Sequence, residues 1–327
     1  MKTDWIVLRR IASWLVLLLC LGFIVYFFAT DQDGVRLILE IEGPPIAGLL
    51  LIHLTYLVVY SYRLQIVLRK CSGRDIRFWP WFEICILGKF LNAMAPQLGN
   101  VYRGVRLKKE HQVTYTRYIS GFFSFAWMGT WANFVIAVVV IAVMSPDLQI
   151  GPIRAVYPVL GLVVLFGAGP VLLEAWLSNW RVEVRALSWI HEKLSEMLRI
   201  SVQNLRDRTY LAKFFLLGLV LLGQACAVFY LCFSSLGVPV QPAEVILFYV
   251  LLQLSTYVNV TPGNLGVQEI VFGVLADQMG IGMGEGILVS VLLRVTGYIA
   301  LFAVALALGG VGVLRQAGRY RSEADES

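Results

Sequence analysis

The sequence predicts an all-α, polytopic membrane protein, with about six full transmembrane helices plus two re-entrant helical hairpins. Three observations predict it. Hydrophobic residues make up 58% of the 327, mean hydropathy is +0.74 and only 15% of residues are charged; a soluble domain is roughly 45–50% apolar. Apolar runs near the length a bilayer requires, about 20 residues, recur along the chain. All but five of the 27 Lys and Arg residues fall in segments that an alternating path puts on one side. The five are Arg36, Arg63, Lys89, Arg154 and Arg294. Such a bias marks the cytoplasmic loops of a membrane protein.

Taken in order, Lys2, Arg9 and Arg10 precede the apolar run 11–29. No small-residue cleavage site follows, so the run reads as a retained first helix with a cytoplasmic N-terminus rather than a signal peptide. The acidic loop 30–45 reads as outside. The segment 46–68 returns inward to Arg69, Lys70, Arg74 and Arg77, and Arg63 near its inner end is expected to snorkel. Residues 78–95 are apolar but contain Glu83, Lys89 and Asn92, break at Pro96 and Gly99, and have basic residues at both ends. Both ends therefore read as inside, which predicts a re-entrant hairpin opening to the cytoplasm. The segment 119–144 crosses outward, 145–152 is a short outer loop, and 156–173 crosses back.

Residues 175–213 form the one sizeable polar segment, and Val184, Leu187, Ile190, Leu194 and Leu198 recur in it at helical spacing. They predict either an amphipathic helix lying along an anionic inner leaflet or a solvated linker helix. The segment 214–236 crosses outward. The segment 287–314 crosses inward to Arg315, Arg319 and Arg321, and the tail 322–327 is expected to be disordered. The organisation is thus one membrane domain, 1–321, holding a first hairpin unit (46–144) and a second (214–314).

Residues 255–270 interrupt the apolar run 243–280 with Asn259, Thr261, Pro262, Gly263, Asn264, Gly266, Gln268 and Glu269. Pro262 lacks a backbone donor and the glycines permit a turn. Broken backbone at membrane depth persists only where protein or a watery cavity satisfies it. A second re-entrant hairpin is predicted, entered from outside; one full helix ending in a surface loop near Pro262 is the alternative. The two tips are alike, Asn92 to Pro96 to Gly99 and Asn259 to Pro262 to Gly266. Broken helices meeting near the midplane in inverted repeats characterise secondary transporters.

The pattern Asn-x-x-x-Pro-x-x-Gly-x-x-x-Arg from Asn92 to Arg103, then Thr-Pro-Gly-x-x-Gly-Val-x-Glu from Thr261 to Glu269, then the late-helix Arg294, resembles the lysylphosphatidylglycerol-synthetase membrane-domain family over nearly the whole chain. The resemblance implies a flippase-like, lipid-translocating fold, some of whose members move aminoacylated phospholipid or act in polyprenyl-linked glycan pathways. Asn264 stands where a second glycine of a Pro-Gly-Gly tip is usual, which leaves the substrate open. An aminoacyl-transferase domain does not follow in this sequence, which argues against lipid aminoacylation.

The candidate substrate-binding residues are Arg103, Glu269, Arg294, Asn92, Asn259 and Thr261. A charge as deep as Arg294 requires a partner or a cavity. It reads as a phosphate contact, a structural pair with Glu269, or both. Arg103 reads as a phosphate contact or as cytoplasmic charge bias, and the Asn and Thr side chains as head-group ligands or caps on broken helix ends. Glu83 and Lys89, six apart, do not face one another on a helix.

The cysteines lie in or beside apolar runs without metal spacing and read as packing residues; the three histidines are isolated, so no metal or other cofactor is expected. The net charge of +6 reads as loop bias rather than nucleic-acid binding. Trp5, Trp79, Trp81, Trp176, Trp180 and Trp189 read as interfacial anchors, and the glycines at 280, 282, 284 and 286 as a flexible outer loop.

These readings favour a non-enzymatic transporter in the cytoplasmic (inner) membrane with both termini cytoplasmic. Its substrate would be an anionic phospholipid or a polyprenyl-phosphate-linked sugar, and enzymes of glycan or lipid pathways its expected partners. A membrane enzyme acting on a lipid phosphate, or a non-transporting scaffold, are the alternatives.

Overall fold

A computed structural model describes residues 41, 43–95, 97–179, 191, 195, 196, 198, 199, 207–255 and 265–314. The first apolar run, most of the polar segment 175–213, the second tip with Asn259, Thr261, Pro262 and Gly263, Pro96 of the first tip and the tail lie outside the described residues.

Nine helices and one small hairpin of strands make up the described chain. They are α1 (Gly43–Ser72), α2 (Phe78–Met94), α3 (Leu98–His111), α4 (Tyr115–Met144), β1 (Gln149–Ile150), β2 (Ile153–Arg154), α5 (Val156–Asn179), α6 (Arg208–Ser235), α7 (Pro242–Ser255), α8 (Val267–Gln278) and α9 (Met283–Ala307). Helices α1, α4, α5, α6 and α9 are long and apolar enough to cross a membrane. They match five of the six predicted spans, the sixth being the undescribed first run. The protein is an all-α polytopic membrane protein. α5 is consistent with this, since Val164, Leu165 and Leu172 are all more than 60% exposed among the described residues, an apolar surface suited to lipid.

The packing divides along the bundle axis. One buried cluster joins the late half of α4 (Phe134, Ile141), the late half of α6 (Phe229, Phe233), α7, α8 and the early part of α9 (Leu288, Leu292). Phe229, Phe233, Phe248 and Phe272 stack edge and face at its centre. The other joins α1, α2, α3, the early part of α4 (Tyr118, Phe125), the start of α6 (Phe214) and the end of α9 (Leu301, Ala305). Helices α1, α4, α6 and α9 thus run from one cluster to the other. The pair α2/α3 belongs to one end alone, and the pair α7/α8 to the opposite end.

At the first pair the chain reverses over Ala95–Gln97, with Gln97 at φ 65°. Arms of 17 and 14 residues are each short of a crossing. They approach so closely that a Cβ on Gly99 would strike the carbonyl of Gly88, so glycine is obligatory there. Helix α5 carries Pro170 internally, which leaves the carbonyl of Phe166 without its helical donor. The indole of Trp127 in α4 donates to it at 2.6 Å.

Several expectations need correction. Arg63 does not snorkel; it is 4% exposed. Its Nε donates to the Phe214 carbonyl at 3.0 Å, the guanidinium lies 3.8 Å from the Phe214 ring centre, and Gly129 and Gly218 leave it room. Trp81 is no interfacial anchor but is fully buried, donating to the Ser61 carbonyl at 2.8 Å; Trp79 and Trp176 are exposed. The outer loop 145–152 extends into a two-residue β-hairpin pairing Gln149 with Arg154. Gly280 and Gly282 do turn with positive φ, but Gly284 and Gly286 lie inside α9. A Cβ at Gly286 would strike the Phe272 carbonyl, so close packing against α8, rather than flexibility, fixes it. Cys71, Cys85 and Cys232 are buried packing residues.

Candidate polar cavity between the two helical hairpins

Helix α1 is apolar overall, yet His53, Tyr56, Tyr60 and Arg63 follow one another at steps of three, four and three residues. That spacing sets all four along one face. His53 is within 3.2 Å of the Thr296 hydroxyl of α9. Thr296 already donates to the Leu292 carbonyl at 2.8 Å, so its oxygen accepts from the imidazole N–H. The ring lies over Gly297, whose missing side chain gives it space.

Where this face meets α2, α8 and α9 there is a cavity of about 240 Å3 lined by His53, Tyr56, Lys89, Gln268, Arg294 and Tyr298, among others. Lys89 comes from α2 and Gln268 from α8, so each pair of short helices contributes a side chain to the cavity. Its size is below the roughly 300–1,000 Å3 of a drug-sized pocket. A larger cavity between α4 and α5, about 490 Å3, is walled by Phe123, Ala126, Trp127, Leu165 and Phe166 and offers little polar chemistry.

The charges around the small cavity are unequally satisfied. Arg294, midway along α9, pairs with Glu269 at 2.7 Å, the side chains being 8% and 1% exposed. Its Nη2 also donates to Gln268 Oε1 at 3.2 Å. The second Glu269 oxygen accepts the Gly266 N–H at 2.7 Å. One carboxylate thereby neutralises the buried cation and caps α8 just past the second tip, where Gly266 has φ 82°. Gln268 Nε2 is buried and has no acceptor among the described residues.

Lys89 has an aromatic partner instead. Its Nζ lies 3.7 Å from the Tyr60 ring centre and 5.3 Å from that of Tyr56, distances at which the ring face attracts the cation. Arg103 of α3 is 2% exposed. It lies against Gly88, with the Phe122 ring centre 5.8 Å away and Tyr118 beside it. Its Nε and Nη1 are both buried without an acceptor. Among the described residues no carboxylate reaches ion-pair distance of Lys89, Arg103 or Arg63. Glu83 turns to Arg106 at 3.5 Å instead.

Of the residues singled out from sequence, Glu269 and Arg294 are brought together, while Arg103 stands apart from them in the first hairpin. Asn92 is a cap: its Oδ1 accepts the Gly99 N–H at 2.7 Å across the tip. Asn259, Thr261, Pro262 and Gly263 lie outside the described residues, as does Pro96. Sequence reasoning did not single out His53, Tyr56 and Tyr60, and placed Gln268 only among the polar residues of the second tip. The helical spacing of polar residues on α1 could have found the first three.

The fold is thus that of a multi-pass membrane protein with two pairs of short helices, α2/α3 and α7/α8, at opposite ends of a bundle, and one cavity lined by Lys89 of the first pair and Gln268 of the second. A model of the lysylphosphatidylglycerol synthase TM region matches residues 8–305, and the chain belongs to that family. A search of curated proteins finds no match, and neither does a search of solved structures.

Proposed function

We propose that this protein carries an anionic lipid across the cytoplasmic membrane, the lipid being a phospholipid or a polyprenyl-phosphate-linked sugar. The hairpins dip in from opposite faces and expose the cavity between them alternately. The observation that carries this reading is the cavity itself. It is lined by side chains of both short-helix pairs, among them Lys89, which faces aromatic rings and no carboxylate among the described residues, and Gln268, whose Nε2 has no acceptor there. A phosphate oxyanion supplies the acceptors those donors lack, and a guanidinium that can exchange partners, Arg294, is at hand.

The small volume suits a head group whose tails stay in lipid. Transport is favoured over chemistry because Glu269, the buried carboxylate beside the cavity, is engaged by Arg294 and Gly266 and does not stand ready as a general base. Opposed broken helices framing a midplane site are the architecture of alternating access.

The test replaces Arg294 by Gln and Lys89 by Met, one at a time, and measures head-group exposure on the outer leaflet. Folded variants that expose lipid at the wild-type rate would refute the transport reading.

A further inference from the structure

The first hairpin holds two cations, Lys89, which lines the cavity, and Arg103, which does not. Arg103 and Lys89 come from opposite arms, and the residue preceding Lys89 is Gly88, against which the Arg103 guanidinium lies. Tyr60 links the two: it takes the Lys89 ammonium on its face and interacts electrostatically with Arg103. Neither has a carboxylate among the described residues, and Arg103 keeps two buried N–H groups without an acceptor.

An uncompensated buried charge is costly. Simple loop bias requires no burial, and packing alone would be served by an apolar side chain. A buried guanidinium with two idle donors, an ammonium of the same sign and no anion together describe half of an ion pair whose other half is mobile.

We propose that Arg103 and Lys89 form a second anion-binding site, for a phosphate oxyanion, within the first hairpin and separate from the Arg294–Glu269 pair. The phosphate could belong to a lipid head group or to free phosphate; the chemistry is the same. An idle N–H of Arg103, on Nε or Nη1, takes one phosphate oxygen, and Lys89 reaches another from the cavity side. Lys89 therefore belongs to both sites. If the cavity works as inferred above, an anion passing between it and the first hairpin's end of the bundle exchanges Arg294 for Arg103 while staying on Lys89. The site itself does not depend on that reading.

The test uses the full chain in detergent and reads the melting temperature. Sodium phosphate is one arm and phosphatidylglycerol micelles the other, each against sodium chloride of equal ionic strength. Saturating ligand at a hundredfold excess over Kd should raise the wild-type Tm by roughly 5–10 °C. The rise should persist in Arg294→Gln and vanish in Arg103→Met, and the responding arm names the source of the phosphate. Arg103→Met should also leave the ligand-free protein as stable as before. Gly88→Ala serves as a second variant, because its methyl would occupy the guanidinium's place while leaving the charge in the chain. No rise in either arm overturns the proposal, as does a rise kept in Arg103→Met or Gly88→Ala. Loss in Arg294→Gln alone would assign the only anion site to the cavity.

Discussion

Replacing Glu269 by Gln isolates the charge of the buried pair from its geometry. The amide oxygen can still accept the Gly266 N–H, so the start of α8 keeps its cap, but Arg294 loses its anion. With the pair 1% and 8% exposed, removal of one partner falls in the class that costs about 3–5 kcal/mol. Arg294 borders a cavity that water can enter, so about 3 kcal/mol is expected. At about 2–4 °C per kcal/mol for folding units of ~200 residues, Tm falls by roughly 6–12 °C. Arg294→Met alone strands the carboxylate and falls similarly. The double variant, with neither charge, should recover most of the loss, because both desolvation penalties vanish together. Thermal unfolding of the four purified proteins in one detergent gives the cycle. A double variant whose loss equals the sum of the singles would refute the pairing argument.

Other expectations follow from packing. Gly99→Ala should prevent the first hairpin from closing, since its Cβ would meet the backbone carbonyl of Gly88; poor recovery of folded protein checks it, and normal recovery would mean the arms pack differently. Trp127→Phe removes the indole donor from the carbonyl that Pro170 orphans, a loss of about 1 kcal/mol, measurable as a Tm decrease that Trp127→Tyr does not restore. Asp207 caps α6 and is bound by Lys70, which, with the backbone N–H of Tyr210, holds its carboxyl below the ordinary carboxylate range. A depressed folded-state pKa gives stability that is present above the unfolded value, about 3.9, and lost as pH falls through the folded one. The Tm of Asp207→Asn should therefore lack the acid-side decline that this group contributes to the wild type.

What could be read from the sequence was whatever a one-dimensional pattern determines. Length and hydropathy located α1, α4, α5, α6 and α9, because each must be long and apolar regardless of its neighbours. The Glu269–Arg294 pair was legible because two opposite charges in apolar segments have few other partners. Asn92 was legible as a cap because a broken helix end must satisfy its donors nearby. Arg63 was misread because its burial depends on Gly129 and Gly218, residues 66 and 155 positions away, and on the rotation of three helices about their axes. The same rotations decide that Lys89 meets Tyr60 and that Arg103 meets Gly88 rather than Glu83. Trp81 and Gly286 failed for a related reason: tryptophan near a helix end and glycine in a loop are habits, and a carbonyl across the interface overrides each. That the two pairs of short helices lie at opposite ends was expected from the basic residues flanking the first and the outside entry of the second, and the halves of α4, α6 and α9 that each one touches agree.

The file of four polar side chains on α1 gives that helix a phase as well as a position. His53 engages α9, Tyr60 engages Lys89 of α2 and Arg63 engages α6, so α1 acts like a camshaft whose lobes must all point correctly at once. One extra residue between Tyr56 and Tyr60 would turn every later lobe by about 100°, whereas four extra residues would bring them back to within roughly 40°. The chain should tolerate the longer insertion better than the shorter one.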